Sequence, residues 1–195
     1  LLYSKAMESA ITLVKNNNDI IQLDSNKKYL HLSFGESGEY FFNQLNKTHS
    51  IDKYEEDTYN ALHGKVDYDA LIITYQGSNS SPYNSYKIPK NIIDIIERIS
   101  LNNNVILNLF LNPYSLNSFA TIDNIESIII SYQNTPISQE VSADLIAGYR
   151  TFTGKLPVSS NFFPLNYGIS KDKKQLLSYS RPSYLGFNSK QLSNL

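Results

Sequence analysis

Carboxylates are the side chains of this sequence that could most directly do chemistry, because a pair of acidic residues can cleave a glycosidic bond. Glu36 lies in the segment FGESG, which follows an apolar stretch and would sit at the carboxyl end of a strand. Asp67 and Asp69 come just before another apolar stretch, at its amino end. Since sites in open parallel sheets form at the carboxyl ends of strands, Glu36 is the better candidate for contact with a substrate.

Uncharged polar side chains form a second candidate group. Gln76, Ser78 and Asn79 follow the apolar segment ALIITY, again at the carboxyl end of a predicted strand. Their amide and hydroxyl groups could hydrogen-bond sugar hydroxyls. We therefore take Glu36 and these three residues as candidate substrate contacts and assign no catalytic residue. An ordinary surface turn is the alternative interpretation of both segments.

Several other chemistries have no support in the sequence. The FGESG segment lacks both the GxGxxG spacing and a Walker lysine, and no GxSxG nucleophile elbow is present. The spacings of His31, His49 and His63 match no zinc motif, so structural or surface roles are predicted, with His31 packed inside a strand. With no cysteine in the sequence, thiolate metal sites and disulfides are excluded.

The elements that would position these residues alternate between strand and helix. Apolar runs predict buried strands, a weaker run predicts a strand near a sheet edge, and amphipathic spacing with helix-start and helix-stop residues predicts the helices. The strands are 29–34, 70–75, 105–111, 127–132 and the weak 49–54, and the helices are 6–14, 38–45, 58–65, one opened by Pro89, and one running from the N-cap Thr135 to Gly148.

A final short strand near residues 154–158 would complete a βαβ unit with the strand and helix before it, spanning 127–159. This alternation predicts an α/β fold, a three-layer αβα sandwich with a mostly parallel sheet of about six strands.

Composition limits the classes of partner. The chain has 195 residues, 41% of them apolar, which is enough for one domain with a substantial core. Its net charge is −1 and its basic residues are scattered, so no basic surface for nucleic acid is predicted. No apolar run has the length of a membrane span.

Four segments, taken together, resemble the C-terminal α/β domain of glycoside hydrolase family 3. The most specific is TGKLPV together with the helix that precedes it. The segments are SAITLVKNNNDIIQL (9–23), NLFLNPY (108–114), the strand and helix at 130–132 and 138–148, and TGKLPV (153–158). The resemblance covers roughly residues 6 to 168. It implies a saccharide substrate for the parent enzyme and no metal or organic cofactor.

The resemblance also implies where the catalytic groups lie. In that family the nucleophilic Asp belongs to an N-terminal TIM barrel, which this sequence does not contain. The acid/base residue comes either from this second domain, in the β-glucosidase and glucan exohydrolase type, or from a His-bearing barrel loop, in the N-acetylglucosaminidase type. The exohydrolase type carries a Gly-Gly-Trp…Trp-Gln-Gly segment here, whereas this sequence has no Trp. The chemistry is therefore expected to be complete in the barrel.

Domain boundaries follow from the same resemblance. Residues 1–26 would be a leading helix and linker from the barrel, 27–168 the sandwich domain, and 169–195 a linker. Within that linker, LGFNSKQL (185–192) resembles the start of a penicillin-binding or β-lactamase-like domain. The family resemblance alone implies a periplasmic or secreted protein.

Two rival hypotheses remain open at this level. The chain could be a stand-alone carbohydrate-binding or protein-interaction module of the same fold, with the aromatic residues around Tyr83 and Tyr86 facing a sugar. A receiver-like module is disfavoured because no predicted strand ends in Asp. The chain could instead be a hydrolase in its own right that uses Glu36.

Overall fold

The computed structural model describes residues 2–54, 64–78 and 87–174, and these residues form a six-stranded sheet in the order β1-β6-β5-β4-β2-β3. β1 runs antiparallel to β6, and every other neighbouring pair is parallel. The strands are β1 Thr12–Asn16, β2 Tyr29–Gly35, β3 Ile51–Lys53, β4 Ala70–Gln76, β5 Val105–Phe110 and β6 Ser127–Ile130. The predicted α/β class and mostly parallel sheet are confirmed, and the weak strand lies at an edge as expected.

Helices cover both faces of this sheet, which gives the predicted three layers. They are α1 Leu2–Ala10, α2 Glu39–Asn46, α3 Lys90–Ser100 and α4 Pro136–Ala147, with a 3₁₀ turn at Pro113–Ser118. Helices α1, α2 and α4 share one apolar cluster with one side of the sheet, while α3 shares another cluster with the opposite side. Most of the helix predicted at 58–65 lies outside the described residues.

Strand β4 shows how the two clusters divide the sheet. All of its residues are buried, and successive side chains point to opposite faces. Leu71 and Ile73 contribute to the cluster under α3, whereas Ala70 and Ile72 contribute to the cluster under α2 and α4. A strand buried on both faces explains the continuous apolar run in the sequence.

The predicted helix over residues 6–14 is wrong at its C-terminal end. Helix α1 ends at Ala10, and Leu13 and Val14 belong to β1. The two side chains enter different clusters, Leu13 on the α4 side and Val14 on the α3 side. That alternation requires a strand, because adjacent residues on a helix lie only about 100° apart.

The predicted strand near residues 154–158 does not form. Leu156 instead exchanges backbone hydrogen bonds with the loop residues Tyr167 and Asn166, at 2.8 and 2.9 Å. Among the described residues, regular pairing in this region is limited to one isolated bridge between Phe152 and Lys171. The loop that bonds to Leu156 nevertheless has a structural role. Its residue Ile169 donates from N to Leu13 O at 2.7 Å and so covers the free edge of β1.

Helix α4 has the predicted ends. The Thr135 hydroxyl accepts a hydrogen bond from Ser138 N at 3.2 Å, Pro136 takes the first turn, and Gly148 closes the helix with φ 91°. Ile137, in the first turn of the helix, is 38% exposed. The helix instead turns Ser138 and Ser142 toward the sheet.

Buried hydrogen bonds explain that orientation of α4. The Asn108 amide of β5 donates to Ser142 Oγ at 2.8 Å, and Ser131 Oγ donates to Asn108 Oδ1 at 2.7 Å. Ser138 Oγ donates to the Ser131 carbonyl at 3.0 Å. These four residues, which we call the serine–asparagine anchor, are fully buried. The anchor fixes α4 on the sheet by satisfying polar groups that water cannot reach.

Ion pairing joins the three helices of this face. Arg150 donates to Asp144 Oδ2 at 2.8 Å and to Glu8 Oε2 at 2.9 Å, and the Gln44 amide donates to Asp144 Oδ1 at 2.7 Å. Glu140 and Asp144 lie four residues apart on α4. Glu140 is exposed, but Asp144 is partly buried and paired, since α1 and α2 both pack against α4 there.

We predict that Asn108→Leu lowers the free energy of unfolding by about 1–3 kcal/mol, because it removes hydrogen bonds of buried serine hydroxyls without leaving a large cavity. Urea unfolding followed by circular dichroism measures the change. Asn43→Leu, at an exposed position of α2, is the matched control and should stay within about 0.5 kcal/mol of the parent. Equal stability of the Asn108 variant and the parent would contradict the role given to the anchor.

Candidate functional site

The carboxyl edge of the parallel strands brings the two predicted groups of site residues together. Glu36 follows β2 and Gln76 ends β4, and the Glu36 backbone N–H donates to the Gln76 carbonyl at 2.9 Å. Glu36 is exposed, Ser78 is half-buried and Gln76 is 1% exposed. Asn79 lies outside the described residues, as do Tyr83 and Tyr86.

The Glu36 carboxylate is held by amide side chains. Asn134 Nδ2 donates to Glu36 Oε2 at 3.1 Å, and Asn134 Oδ1 accepts from Gln139 Nε2 at 2.6 Å. Gln139 also donates to the Ser37 carbonyl at 2.9 Å and accepts from Phe41 N at 3.0 Å. This network, which we call the Glu36 edge, joins the turns after β2 and β6 through the first turn of α4.

Asn134 and Gln139 were missed by sequence reasoning. A signal for Asn134 was available, because it follows β6 and directly precedes the N-cap of α4, at the same edge as Glu36. Gln139 had no such signal. A glutamine on a helix is usually solvated, and only the packing of α2 against α4 buries this one.

Gln76 belongs to a buried row of polar side chains. Its Oε1 accepts from Ser33 Oγ at 3.0 Å, and its Nε2 donates to Thr74 Oγ1 at 2.7 Å. Thr74 Oγ1 lies 2.9 Å from His31 Nε2, which extends the row into the core beneath α2. We call these four residues the β2–β4 polar row. The Gln76 side chain thus faces the interior and satisfies buried groups, and its geometry gives it a structural role.

Both glycines of the FGESG segment are needed for close packing against β4. A Cβ at Gly35, whose φ is +87°, would lie 2.2 Å from the Gln76 carbonyl oxygen. A Cβ at Gly38 would lie 2.4 Å from Gln76 Nε2 and 2.6 Å from Ser33 Oγ. The segment is therefore a tight βα turn built against its neighbour strand.

The turn after β6 adds a strained residue to the same edge. Tyr132 has φ 61°, which is unusual for a bulky side chain, and Gln133 N donates back to Ser131 O at 2.7 Å. The Tyr132 hydroxyl lies 2.8 Å from Thr12 Oγ1 of β1, which holds this conformation. This sharp turn places Asn134 within hydrogen-bond distance of the Glu36 carboxylate.

Electrostatics at this edge involve one neighbouring phenol. Burial, and secondarily the negative charge of Glu36, raise the pKa of Tyr75 above its usual value.

The other acidic residues singled out in the sequence lie elsewhere. Asp69 N donates to the Lys28 carbonyl at 2.9 Å, at the amino end of the strands, as predicted for the Asp67–Asp69 pair. Glu36 therefore has neither of these acids as a partner carboxylate.

Among the described residues, no group of three His, Asp or Glu side chains lies close enough together to bind a metal ion. Of the described helices, none is long and apolar enough to cross a membrane.

Histidines take packed positions. His31 is buried as predicted, its ring stacks on Phe42 with centroids 5.9 Å apart, and its Nδ1 has no hydrogen-bond partner among the described residues. His49 lies in a polar stretch yet is also buried, with Nε2 3.0 Å from the Leu23 carbonyl oxygen and Nδ1 2.9 Å from Thr48 Oγ1. His63 lies outside the described residues.

Acid should destabilise the fold through His31. Burial, aided by the charge of Lys53, lowers its pKa from 6.5 to about 3. Above pH 6.5 the ring is neutral in both states, but between 6.5 and about 3 the unfolded chain binds a proton that the folded chain does not. Stability is therefore lost as pH falls through this window, by a total on the order of 3–5 kcal/mol.

The measurement is urea unfolding at several pH values, comparing the parent with His31→Gln. We expect the variant to show a much shallower fall in unfolding free energy below pH 6.5. His49→Gln is the matched control, and because burial also lowers the pKa of His49, it should flatten the curve less. Identical pH slopes for the parent and His31→Gln would refute this account.

The fold occurs in known glycosidases. A fungal multi-domain GH3 β-N-acetylglucosaminidase aligns with 93% of this chain at TM-score 0.62 and 19% identity. A glycoside hydrolase family 3 β-N-acetylglucosaminidase from Paenibacillus sp. aligns with 83% at TM-score 0.61 and 16% identity. A β-glucosidase from Listeria innocua aligns with 86% at TM-score 0.65 and 12% identity.

These likenesses confirm the predicted resemblance to family 3 proteins at the level of the fold. This chain corresponds to 21%, 32% and 33% of the length of those three chains. No protein-family profile and no curated protein sequence matches it. The protein is therefore an α/β domain of a fold that these larger glycosidases contain.

Proposed function

We propose that this chain is the accessory C-terminal α/β domain of a family 3 glycoside hydrolase whose catalytic groups lie in an N-terminal barrel encoded upstream. The observation that carries the proposal is the Glu36 edge. It presents an exposed carboxylate held by the amide of Asn134, and the Asp67–Asp69 pair lies at the opposite end of the strands. Glycosidases of the common two-carboxylate type need two acids flanking one bond. Glu36 and the Asp67–Asp69 pair, at opposite ends of the strands, cannot flank one bond, which supports placing the catalytic acids in the barrel.

The fold supports the same proposal. The structural neighbours are glycosidases of which this chain would make up about a fifth to a third. The substrate of the parent enzyme would be a β-linked N-acetylglucosamine or glucose unit, cleaved with retention through a covalent glycosyl-enzyme. Such a parent enzyme would be periplasmic or secreted.

Exposed apolar side chains near the Glu36 edge fit a docking face for the barrel. Tyr3, Tyr40 and Ile137 are 43%, 52% and 38% exposed. The Tyr3 hydroxyl donates to Gln133 Oε1 at 2.8 Å, beside Asn134, while Tyr40 and Ile137 lie in the first turns of α2 and α4, which Gln139 joins. Such residues gathered at one end of the domain are typical of a surface that another domain covers.

Activity should require the upstream barrel. We expect no hydrolysis of chromogenic β-glucoside or β-N-acetylglucosaminide by this chain alone, and hydrolysis of one of them by a version of the protein extended at its N-terminus through the barrel. The preferred substrate then identifies the sugar class. Hydrolysis by the short chain alone would overturn the proposal.

Glu36 should be dispensable for catalysis. In the extended protein, Glu36→Gln is expected to change kcat and KM by less than about twofold, because the amide still bonds Asn134 and no proton transfer is lost. Glu39→Gln, an exposed neighbour at the start of α2, is the matched control. A fall in kcat of about a hundredfold or more for Glu36→Gln alone would instead assign it as a general acid or base.

A further inference from the structure

A groove of about 700 Å³ lies on the α3 side of the sheet, away from the residues bonded to Glu36. Its lining residues come from the segment before α3 and from the 3₁₀ turn that follows β5. They are Lys87, Ile88, Tyr114, Asn117 and Ser118, and we call the feature the Tyr114 groove.

Tyr114 is a rigidly mounted and exposed aromatic ring. The Asn112 side chain accepts a hydrogen bond from Tyr114 N at 3.0 Å, and Ser115 Oγ donates to the Asn112 carbonyl at 2.8 Å. Pro113, between them, is buried. The backbone is thus fixed from both sides while the ring stays 47% exposed. Because the backbone at Tyr114 is already ordered, stacking a ligand on the ring requires no ordering of the main chain, which lowers the entropic cost of binding.

Polar groups stand beside this ring. Residues three apart on a 3₁₀ helix eclipse one another, so Tyr114 and Asn117 project to the same side. Asn117 Oδ1 accepts from Asn161 N at 2.8 Å, which fixes the orientation of the carboxamide. Within the described ranges no hydrogen bond engages Asn117 Nδ2, Ser118 Oγ or the Tyr114 hydroxyl. The groove therefore offers several neutral hydrogen-bonding groups next to an aromatic face.

We propose that the Tyr114 groove binds a neutral saccharide ring, stacked on Tyr114 and hydrogen-bonded by Asn117 and Ser118. A phosphate or nucleotide would need more positive charge than Lys87, the lysine among the described lining residues, supplies. A purely apolar ligand would bury the amide and hydroxyl groups without partners. A neutral sugar meets neither objection. Its hydroxyls hydrogen-bond to the polar side chains, and its C–H face packs on the aromatic ring and the nearby Ile88.

This site goes beyond the proposed accessory function, which places the catalytic groups in the barrel. It also does not depend on that function, because a stand-alone binding module would use the groove in the same way. The two ideas fail separately: loss of sugar binding leaves the activity comparison between short and extended proteins unchanged.

The test is titration of the 195-residue chain with chitotriose and with cellotriose, followed by ¹⁵N–¹H NMR and calorimetry. We expect binding with a Kd on the order of 0.1–1 mM, as an open single-ring site allows, and shifts of the amides of residues 114–118. Tyr114→Ala should weaken binding at least about tenfold, as loss of an aromatic anchor does, and Tyr114→Phe should retain most of it. Leu101→Ala, at an exposed apolar position just after α3, is the matched control and should bind as the parent does.

Three results would overturn the proposal. These are the absence of shifts with both sugars up to their solubility limits, binding that survives Tyr114→Ala unchanged, or shifts that map to the Glu36 edge instead. If the Tyr114→Ala variant does not fold, as judged by lost dispersion of its amide chemical shifts, the double variant Asn117→Ala with Ser118→Ala is used in its place. Unchanged affinity in that double variant would likewise refute the assignment.

Discussion

The structure depends on the double burial of β4. This strand pairs with β2 on one side and β5 on the other, and both of its faces are covered by helices. Any polar side chain on it must therefore find its hydrogen bonds inside the protein. Thr74 and Gln76 do so through Ser33 and His31. The same constraint operates one strand further along, where Asn108 pairs with Ser131, just after β6, and with Ser142 of α4.

This inward use of polar groups shapes the carboxyl edge of the sheet. The polar side chains of β4 and β5, Gln76 and Asn108 among them, form hydrogen bonds inside the core. The exposed polar groups at the edge therefore come from the turns. Glycines bring the turn after β2 against Gln76, and the strained Tyr132 turn brings Asn134 to Glu36. The result is an edge that carries an amide-bound carboxylate, while Asp69 lies at the opposite end of the strands.

The molecule has a second exposed feature on the other side of the sheet. The 3₁₀ turn after β5 mounts Tyr114 firmly because Asn112 caps it and Pro113 is buried. The Glu36 edge and the Tyr114 groove are thus built from different loops and can serve different partners, a neighbouring domain in one case and a sugar in the other. Both rest on rigid strand ends, which is where α/β folds usually place their binding residues.

The sequence by itself determined the fold class, the parallel character of the sheet, most strand positions and both ends of α4, because these follow from local patterns: apolar runs, a capping Thr–Pro pair and a terminal Gly. It could not place Leu13 and Val14 in a strand, because their partners in β6 lie more than a hundred residues away. Nor could it show that residues 154–158 form no strand, because Leu156 bonds to an irregular loop. It located Glu36 correctly at an exposed edge but could not show that Gln76 points inward, or that Asn134 and Gln139 hold the carboxylate. Those facts depend on which side chains two packed elements bring within about 3 Å of each other, and only the tertiary structure decides that.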